Sequence, residues 1–266
     1  QIFSQIEGFG EYGFPESHAA SFALLVYASA WLKWHEPAAF LAGLLNAQPL
    51  GFYSPSQLVQ DARRHGVVVL PPDVTHSDWD CKLVEVPDDF DANSPGAWPQ
   101  AHTQVKHRED QPAVRLGLRL VSGLGQVAAL RIEQARQRGP WRDVDDLARR
   151  AGLEQADVRA LASGDALRSL AGHRRQQVWE ASALHRAPML LREAPVAEAA
   201  LALPAPPESE DIVFDHASLG LSLRRHPLAL LRPHLRSQRL QTSAELQALP
   251  KGRLARACGI VVGRQQ

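Results

Sequence analysis

Apolar residues in the first part of the chain recur mostly at the spacing of an α-helix. Between residues 18 and 35 they return every three or four positions, which predicts one helix, with Ser17 placed to cap it. Pro37 suits the first turn of a new helix, and a second helix is predicted over Ala38–Asn46. A third, short helix is predicted over Ser56–His65.

Other stretches carry the signals of strands and loops. Residues 1–16 place glycine and proline among aromatic residues and predict a tight loop. The β-branched run Val67–Leu70 predicts a short strand, and residues 86–112, rich in proline and small polar residues, predict an exposed loop or hairpin. Residues 187–211 show little periodicity and predict a linker, whereas Gly259–Gly263 indicates the first strand of a further β domain.

Helical spacing returns between about residues 117 and 185, and a helix broken by prolines follows between 217 and 235. The predicted fold class is therefore mainly α with small β elements. Of the 266 residues, 45% are hydrophobic and 22% are charged, which is the balance of a folded globular protein.

Composition also excludes several classes of protein. No apolar run reaches the roughly 18–20 residues that a membrane span needs, so we expect no membrane partner. Two cysteines, Cys81 and Cys258, are too few for a disulfide framework or a usual zinc site, so we expect a reducing, cytoplasmic setting. The chain starts with Gln1 and ends just after an apolar run, and we expect it to be a piece of a longer protein.

The net charge is zero, but the charge is unevenly distributed. Residues 1–114 carry 6 basic and 14 acidic side chains, whereas residues 115–186 carry 13 basic and 8 acidic ones. The chain has 25 arginines and 4 lysines, and arginine suits bidentate contact with phosphate. A GC-rich genome explains the same ratio, so the location of the positive charge is the better indication of a phosphate ligand.

The run Val121–Gly125, followed by a predicted helix from Gln126 to Arg138, has the pattern of a helix–hairpin–helix motif. Two glycines in the turn allow positive φ and leave backbone N–H groups open to a phosphate at the helix N-terminus. Such a motif contacts the duplex backbone rather than the bases. The candidate DNA-binding residues are Arg119, Ser122, Gly123, Leu124, Gly125, Gln126 and Arg131, and Arg138 adds positive charge.

The alternative is a structural helical bundle whose turns contain ordinary glycines. A second unit follows, with Ser163-Gly164-Asp165 between predicted helices, and the two units would pack as one compact domain. Because the second turn lacks a second glycine, we expect that unit to be mainly structural.

The stretch from Phe9 to Ala23, which contains Tyr12-Gly13-Phe14-Pro15-Glu16-Ser17-His18, resembles the end of the fingers in bacterial C-family DNA polymerases, the replicative α-subunit family. Gln48–Tyr53, Asp61–Gly66 and Asp78–Cys81 are similar to the error-prone, damage-tolerance branch of that family. Leu219–Pro227 resembles the segment that precedes its OB domain. The resemblance covers nearly the whole chain.

The resemblance implies a domain order for this chain. Residues 1–114 would be the distal fingers with a loop insertion, and residues 115–186 a tandem helix–hairpin–helix DNA-binding domain. Residues 187–216 would be a linker, and residues 217–266 a connector and the start of an OB domain. The longer protein would be a DNA-directed DNA polymerase, a nucleotidyltransferase that performs translesion synthesis in DNA repair and damage-induced mutagenesis.

The resemblance also implies a nucleotide side for the first loop. Tyr12, Ser17 and His18 would lie beside the incoming deoxynucleoside triphosphate and its sugar. An alternative role for Tyr12 and His18 is to fix the loop to the following helix. Replicative members commonly have Asn-Lys where this chain has Pro15-Glu16. The lost cation would loosen nucleotide selection, and the alternative is that the change is neutral drift.

Phosphoryl transfer needs magnesium held by carboxylates, and the family places those aspartates in a palm domain upstream of the fingers. We expect magnesium in the longer protein, no cofactor and no catalytic residue in this chain, and no polymerisation by the chain alone. Asp78-Trp79-Asp80 and Asp143-Val144-Asp145 match the spacing of a metal pair only. Primer–template or other duplex DNA is the expected partner of the chain.

Two further kinds of partner come from the resemblance. Error-prone members are thought to act with accessory mutasome proteins, and replicative members carry a clamp-binding peptide near the position of Ala187–Leu191. Here that stretch lacks both the glutamine and the aromatic pair, so a sliding-clamp contact stays open. The competing hypothesis for the whole chain is a non-enzymatic helical scaffold that docks polymerase accessory proteins.

Overall fold

The computed structural model describes residues 16–88, 111–184 and 201–261, without the side chains of residues 16–18. Helices predominate, as the sequence predicts. They are α1 (Glu16–His35), α2 (Pro37–Asn46), α3 (Pro55–Arg64), α4 (Gln126–Arg136), α5 (Val144–Ala151), α6 (Gln155–Ser163), α7 (Arg168–Ala171), α8 (Arg174–Ala183), α9 (Glu208–Ser218), α10 (Pro227–Leu230), α11 (Arg232–Ser237) and α12 (Ser243–Gln247). Among these described helices, none is both long and apolar enough to cross a membrane.

Three short strands in the described residues form one sheet. They are β1 (Val69–Leu70), β2 (Lys82–Val84) and β3 (Ala113–Arg115). The order is β1-β3-β2, with β1 parallel and β2 antiparallel to β3. The central strand β3 therefore satisfies its backbone hydrogen bonds on both sides.

The predicted helix boundaries agree with the local chemistry of the chain. Helix α1 ends at His35 and α2 begins at Pro37, because proline disfavours helical backbone in the residue before it and is tolerated in a first turn. Ser54 starts α3 with a capping box, in which its hydroxyl accepts from the Gln57 N–H and the Gln57 side chain accepts from the Ser54 N–H.

The first hydrophobic core lies between the sheet and the helices α2 and α3. It is built from Ala38, Leu41, Ala42, Leu45, Val59, Ala62, Val67, Val69, Cys81, Val114, Leu116 and Leu221. Leu221 is buried here although it lies over 100 positions after β3. The connector after α9 thus completes the core that the first third of the chain begins.

The second core lies inside the helices α4 to α8 and includes Leu118, Leu124, Ile132, Trp141, Leu147, Leu161 and Leu167. Val74, from the loop after β1, is also fully buried in it. Leu219 packs against both cores. The sheet and the helical unit are therefore packed against each other.

Three sequence predictions differ from the structure. Ser17 is predicted to cap the first helix, but α1 already includes Glu16, so Ser17 lies inside the helix. The linker is predicted over residues 187–211 from the lack of periodicity, and over 187–216 in the domain order. Both ranges overlap the helix Glu208–Ser218. This helix has weak apolar periodicity, and its buried face carries Asp211 and Asp215, which pair with arginines. Apolar spacing alone therefore misses it.

The strand predicted over Gly259–Gly263 is absent from residues 259–261, and residues 262 and 263 lie outside the described part of the chain. A strand requires a neighbour to share its hydrogen bonds. Here the only β contact that the described residues near this end make is the bridge between Ala257 and Gln241. The predicted loop over 86–112 and the remaining linker lie largely outside the described ranges.

The backbone passes so close to Gly117 that only glycine fits. A Cβ there would lie 2.3 Å from the Trp79 carbonyl oxygen and 2.7 Å from the Cys81 nitrogen, both backbone atoms. The Gly117 N–H donates to the Cys81 Sγ at 3.2 Å, which fixes the same approach.

We expect Gly117→Ala to lower the free energy of unfolding by about 1–3 kcal/mol, because the backbone must move to admit one methyl group. Gly43→Ala is the matched control, since a Cβ there meets nothing within 4 Å and Gly43 is an exposed position in α2. The control should gain about 0.5–1 kcal/mol of helix stability. Urea denaturation of both variants measures the difference, and equal stabilities would contradict the close approach.

Candidate nucleic-acid interface

The motif predicted as a helix–hairpin–helix is formed as predicted. A 3₁₀ turn over Leu118–Leu120 leads into the hairpin Val121–Gly125, and α4 starts at Gln126. Val121 and Leu124 are buried in the second core. Ser122, Gly123, Gly125 and Gln126 face solvent. We call the segment Val121–Gly125 the first hairpin.

The two glycines of the first hairpin have different structural roles. Gly123 has φ +84°, a conformation that a residue with a side chain rarely adopts. Gly125 has φ −81° and ψ 149°, which any residue can adopt, and a Cβ there would meet nothing within 4 Å. Gly123 is therefore required by the turn, whereas Gly125 leaves open space at the surface.

Backbone donors of the first hairpin divide into used and unused groups. The Ser122 N–H donates to the Ser218 carbonyl at 2.8 Å, and the Leu124 N–H donates to the Val121 carbonyl at 3.2 Å. Within the described chain, the N–H groups of Gly123, Gly125 and Gln126 donate no hydrogen bond. The first turn of α4 contains no acidic residue, so its positive end is not neutralised locally. An anion can bind there.

The second hairpin, Gly164–Leu167, is closed instead. All four residues are buried, and all four N–H groups donate to acceptors in the protein, the last of them to the Gln177 side chain at 3.2 Å. Asp165 has φ 57° and adds a negative charge to the turn. Its geometry therefore favours packing over phosphate contact.

The two hairpins meet directly. A Cβ on Gly164 would lie 3.2 Å from the Val121 side chain, and a Cβ on Gly123 would lie 3.7 Å from that of Ala160. The second helix–hairpin–helix unit therefore packs against the first hairpin.

The arginines near the first hairpin are partly engaged within the protein. Arg119 donates to the Asn46 carbonyl and to Asp80, both at 2.7 Å. Arg131 donates to the Gly152 carbonyl at 2.7 Å and keeps an exposed side chain. Arg138 is exposed but lies past the far end of α4, roughly 18 Å along the helix from Gly125 at 1.5 Å per residue. Backbone donors, rather than arginines, are the main feature of this surface.

The two Asp-x-Asp pairs singled out from the sequence are engaged in different ways. Asp78 pairs with Lys82 at 2.7 Å and with Arg136, and Asp80 pairs with Arg119. Asp143 caps α5 through the Asp146 N–H, and Asp145 is an exposed residue in the first turn of the same helix. Cation pairing, capping and exposure on one helix turn do not fit a magnesium site.

Asp146 is the most enclosed of these acids. Arg149 and Arg150 contact it at 2.9 and 3.1 Å, and Arg150 also stacks on Trp141 at 4.3 Å from the ring centroid. Burial alone would raise the pKa of Asp146, but the Arg142 N–H and the nearby guanidinium groups outweigh it and lower the pKa. The carboxylate therefore ties α5 to the preceding turn.

The residues predicted to lie beside the incoming nucleotide fall outside the described residues or at their edge. Tyr12 lies outside the described residues, and Ser17 and His18 are described as backbone of α1 only. The later part of α1 exposes large apolar side chains, including Leu24, Tyr27 and Trp34. The stretch Ala187–Leu191 also lies outside the described residues.

The chemistry of residues 208–224 was missed by the sequence analysis. Ser218 accepts from the first hairpin, and Asp211 and Asp215 pair with Arg174. The spacing of two acids at i and i+4 was the available signal, because it places both on one helix face.

The fold and the open first hairpin define a helix–hairpin–helix unit. A family model described as "Helix-hairpin-helix motif" matches residues 66–177, so it includes the sheet as well as α4 to the first turn of α8.

The particular similarity is to error-prone DNA polymerases. Proteins of that name from Bordetella parapertussis and Aromatoleum aromaticum are 57% and 56% identical over 266 residues, and the one from Methylococcus capsulatus is 51% identical over 268. These matches cover all of this chain but 23%, 23% and 25% of the relatives. The chain thus spans about a quarter of the length of the curated relatives it matches, and the resemblance stated from the sequence is confirmed.

We expect Asp146→Asn to lower the free energy of unfolding at pH 7 by about 1.5–3 kcal/mol, because the charge-assisted hydrogen bonds weaken. The pKa of Asp146 is lower in the folded than in the unfolded chain, so the ionised group contributes stability above its unfolded pKa of about 3.9. That contribution is lost as the pH falls through the folded pKa. The difference in the free energy of unfolding between Asp146→Asn and wild type should therefore be smaller near pH 3 than at pH 7.

Urea denaturation at pH 7 and pH 3 measures this gap. Asp145→Asn is the control, because Asp145 is exposed in the same helix turn. A gap for Asp146→Asn that stays constant between the two pH values would contradict the ion-pair assignment.

Proposed function

We propose that this chain is the part of an error-prone DNA polymerase that holds duplex DNA by its phosphates through the first hairpin. The supporting observation is that the N–H groups of Gly123, Gly125 and Gln126, three exposed residues, donate no hydrogen bond within the described chain. A Cβ on Gly125 would also meet nothing within 4 Å, so the surface there is open. The similarity to error-prone polymerases over the whole chain supports the same function.

The chemistry of the contact follows from the backbone. Peptide N–H groups donate to phosphate oxygens, and the N-terminus of α4 adds a favourable partial charge. Neither group distinguishes one base from another, so binding is independent of sequence. Arg131, exposed on the next turn of α4, adds attraction that salt weakens.

In the longer polymerase, the reaction is the addition of deoxynucleotides to a primer across damaged template, in the cytoplasm and as part of DNA repair. Magnesium there would be held by residues outside this chain, since the acids described here are capped, exposed or paired with cations. Accessory mutasome proteins, and a sliding clamp, are further partners of the longer protein. The chain alone then binds DNA without extending a primer.

We expect Gly125→Val to weaken duplex binding by tenfold or more, on the order of the loss of one or two phosphate hydrogen bonds. The added side chain occupies the space that the phosphate must enter, while φ −81° and ψ 149° stay allowed for valine. Fluorescence anisotropy with a labelled primer–template duplex at several salt concentrations measures the affinity.

Gly259→Val is the matched control, because Gly259 is exposed with nothing within 4 Å of a Cβ and lies far along the chain from the first hairpin. The helical circular dichroism spectrum should be unchanged in both variants. Equal affinities for Gly125→Val and wild type would overturn the role of the hairpin. An absence of salt-dependent binding by the wild type would favour the scaffold that docks accessory proteins.

The nucleotide side is a second part of the proposal, carried by Tyr12, Ser17 and His18. In the longer polymerase that contains this chain, Tyr12→Ala should raise the KM for the incoming nucleotide about tenfold, the size of one aromatic stacking contact. Single-nucleotide extension measures it. Tyr53→Ala, at an exposed tyrosine after α2, is the control. A KM unchanged in Tyr12→Ala would assign that residue to loop packing.

A further inference from the structure

The C-terminal end of α9 contacts both hairpin units. The Ser218 carbonyl accepts from the Ser122 N–H of the first hairpin at 2.8 Å. The single proton of the Ser218 hydroxyl is shared between the Ser163 carbonyl at 2.9 Å and the Phe214 carbonyl of its own helix at 2.6 Å. Ser163 ends α6, directly before the second hairpin. The position of the first hairpin at the surface therefore depends on the position of α9.

Helix α9 is fixed by a buried guanidinium. The Arg174 side chain is 2% exposed and donates to the Asp211 carbonyl at 2.7 Å. It also forms ion pairs with the Asp211 carboxylate at 3.3 Å and with Asp215. Two turns of α9 are thus attached to the start of α8 by one side chain.

Arg224 completes this cluster from the other side. After α9 the chain reverses at Gly220, with φ +70°, and brings Arg224 to Asp165 at 2.8 Å, Asp211 at 3.2 Å and Asp215 at 3.4 Å. Ser222 adds a hydrogen bond to Asp215 at 2.6 Å. Arg224 therefore joins the second hairpin to α9, with closer contact to Asp165 than Arg174 makes at 4.0 Å.

The cluster has three carboxylates and three guanidinium groups, since Arg168 also pairs with Asp165 at 3.3 Å. Burial raises the pKa of Asp211, and Arg224 and Arg174 act in the opposite direction. Loss of Arg224 would leave Arg174 as the one guanidinium of the described residues that pairs with Asp211 and Asp215, and the repulsion between these acids would loosen α9.

We propose that Arg224 is a positioning residue of the phosphate-binding first hairpin, acting through Asp211, Asp215 and the carbonyl of Ser218. The inference rests on the proposed function of the hairpin. It extends the DNA-binding unit beyond residue 177, where the helix–hairpin–helix family match ends, to the connector at Arg224.

The test compares Arg224→Ala with Arg225→Ala in the whole 266-residue chain. Arg225 is the neighbouring arginine, and it pairs with Glu208 at 2.6 Å outside the cluster. Both variants lose one positive charge, so a general electrostatic effect on DNA would be the same in both. Arg224→Ala should weaken duplex binding about tenfold, the size of one lost preorganising hydrogen bond, whereas Arg225→Ala should stay within about twofold.

Two further readouts separate positioning from charge or folding. Exchange of the Ser122 amide hydrogen, followed by NMR, should become faster in Arg224→Ala and not in Arg225→Ala, while the Ile132 amide in α4 stays protected. The slope of affinity against salt should be unchanged, because no phosphate contact is removed. Arg224→Lys should restore part of the affinity.

Each outcome has a separate meaning. If the wild type does not bind duplex, the proposed function fails, whatever the Ser122 amide does. If the wild type binds and Arg224→Ala binds as Arg225→Ala does, the positioning role is wrong. Should Arg224→Ala unfold, Ser222→Ala replaces it. This variant removes the hydrogen bond to Asp215 and the one that the Ser222 hydroxyl accepts from the Arg224 N–H, so it loosens Arg224 without deleting its guanidinium. An unchanged Ser122 exchange rate in Ser222→Ala overturns the inference.

Discussion

The loop that follows β1 is the element on which the arrangement of the whole chain depends. Val74 lies in this loop, outside the sheet, and is fully buried among the helices of the second core. Its N–H donates to the Ala166 carbonyl of the second hairpin at 2.9 Å, and its own carbonyl accepts from Arg136 at 3.3 Å. A residue of the sheet side thus completes the packing and the hydrogen bonding of the helical side. Because buried backbone groups must be paired, this loop has little freedom once the helices form.

Polar contacts around the same loop explain why the sheet belongs to the helical unit. The Asp73 carboxylate accepts from Ser169 at 2.9 Å, and Ser77 donates to the Leu116 carbonyl at 2.7 Å. The helix–hairpin–helix family match begins at residue 66, before the strand rather than at the first hairpin. Strand, loop and helices therefore form one structural unit, and the first hairpin is attached to a rigid base.

The sequence predicted the helices with strong local signals and failed where partners distant in sequence decide the structure. The end of α1 and the start of α2 follow from Pro37, and the first hairpin follows from Gly123 and Gly125. The helix α9 was predicted as part of a linker, because its buried face is formed by aspartates whose arginine partners lie elsewhere in the chain. The strand expected at residues 259–261 failed for the related reason that a strand requires a neighbour.

The same distinction applies to the candidate site. Local sequence identified the open hairpin, since Gly123 supplies the positive φ that the turn requires. The guanidinium of Arg119, which the sequence also selects, is engaged with the Asn46 carbonyl and Asp80, because only the folded chain brings these groups together. It missed the Ser122–Ser218 hydrogen bond for the same reason.

In the proposed phosphate contact, Gly123 and Gly125 donate through peptide N–H groups and not through side chains, which has a consequence for movement along DNA. Successive phosphates of one strand lie about 3.4 Å apart along the duplex axis, and each offers the same oxygens to a peptide N–H. The free energy of this contact therefore has an equal minimum at every base pair, and no position along the duplex is preferred. A protein that holds a duplex in this way can advance by one base pair without a net change in the free energy of binding. This holds whether the base pair at the hairpin is intact, mismatched or damaged.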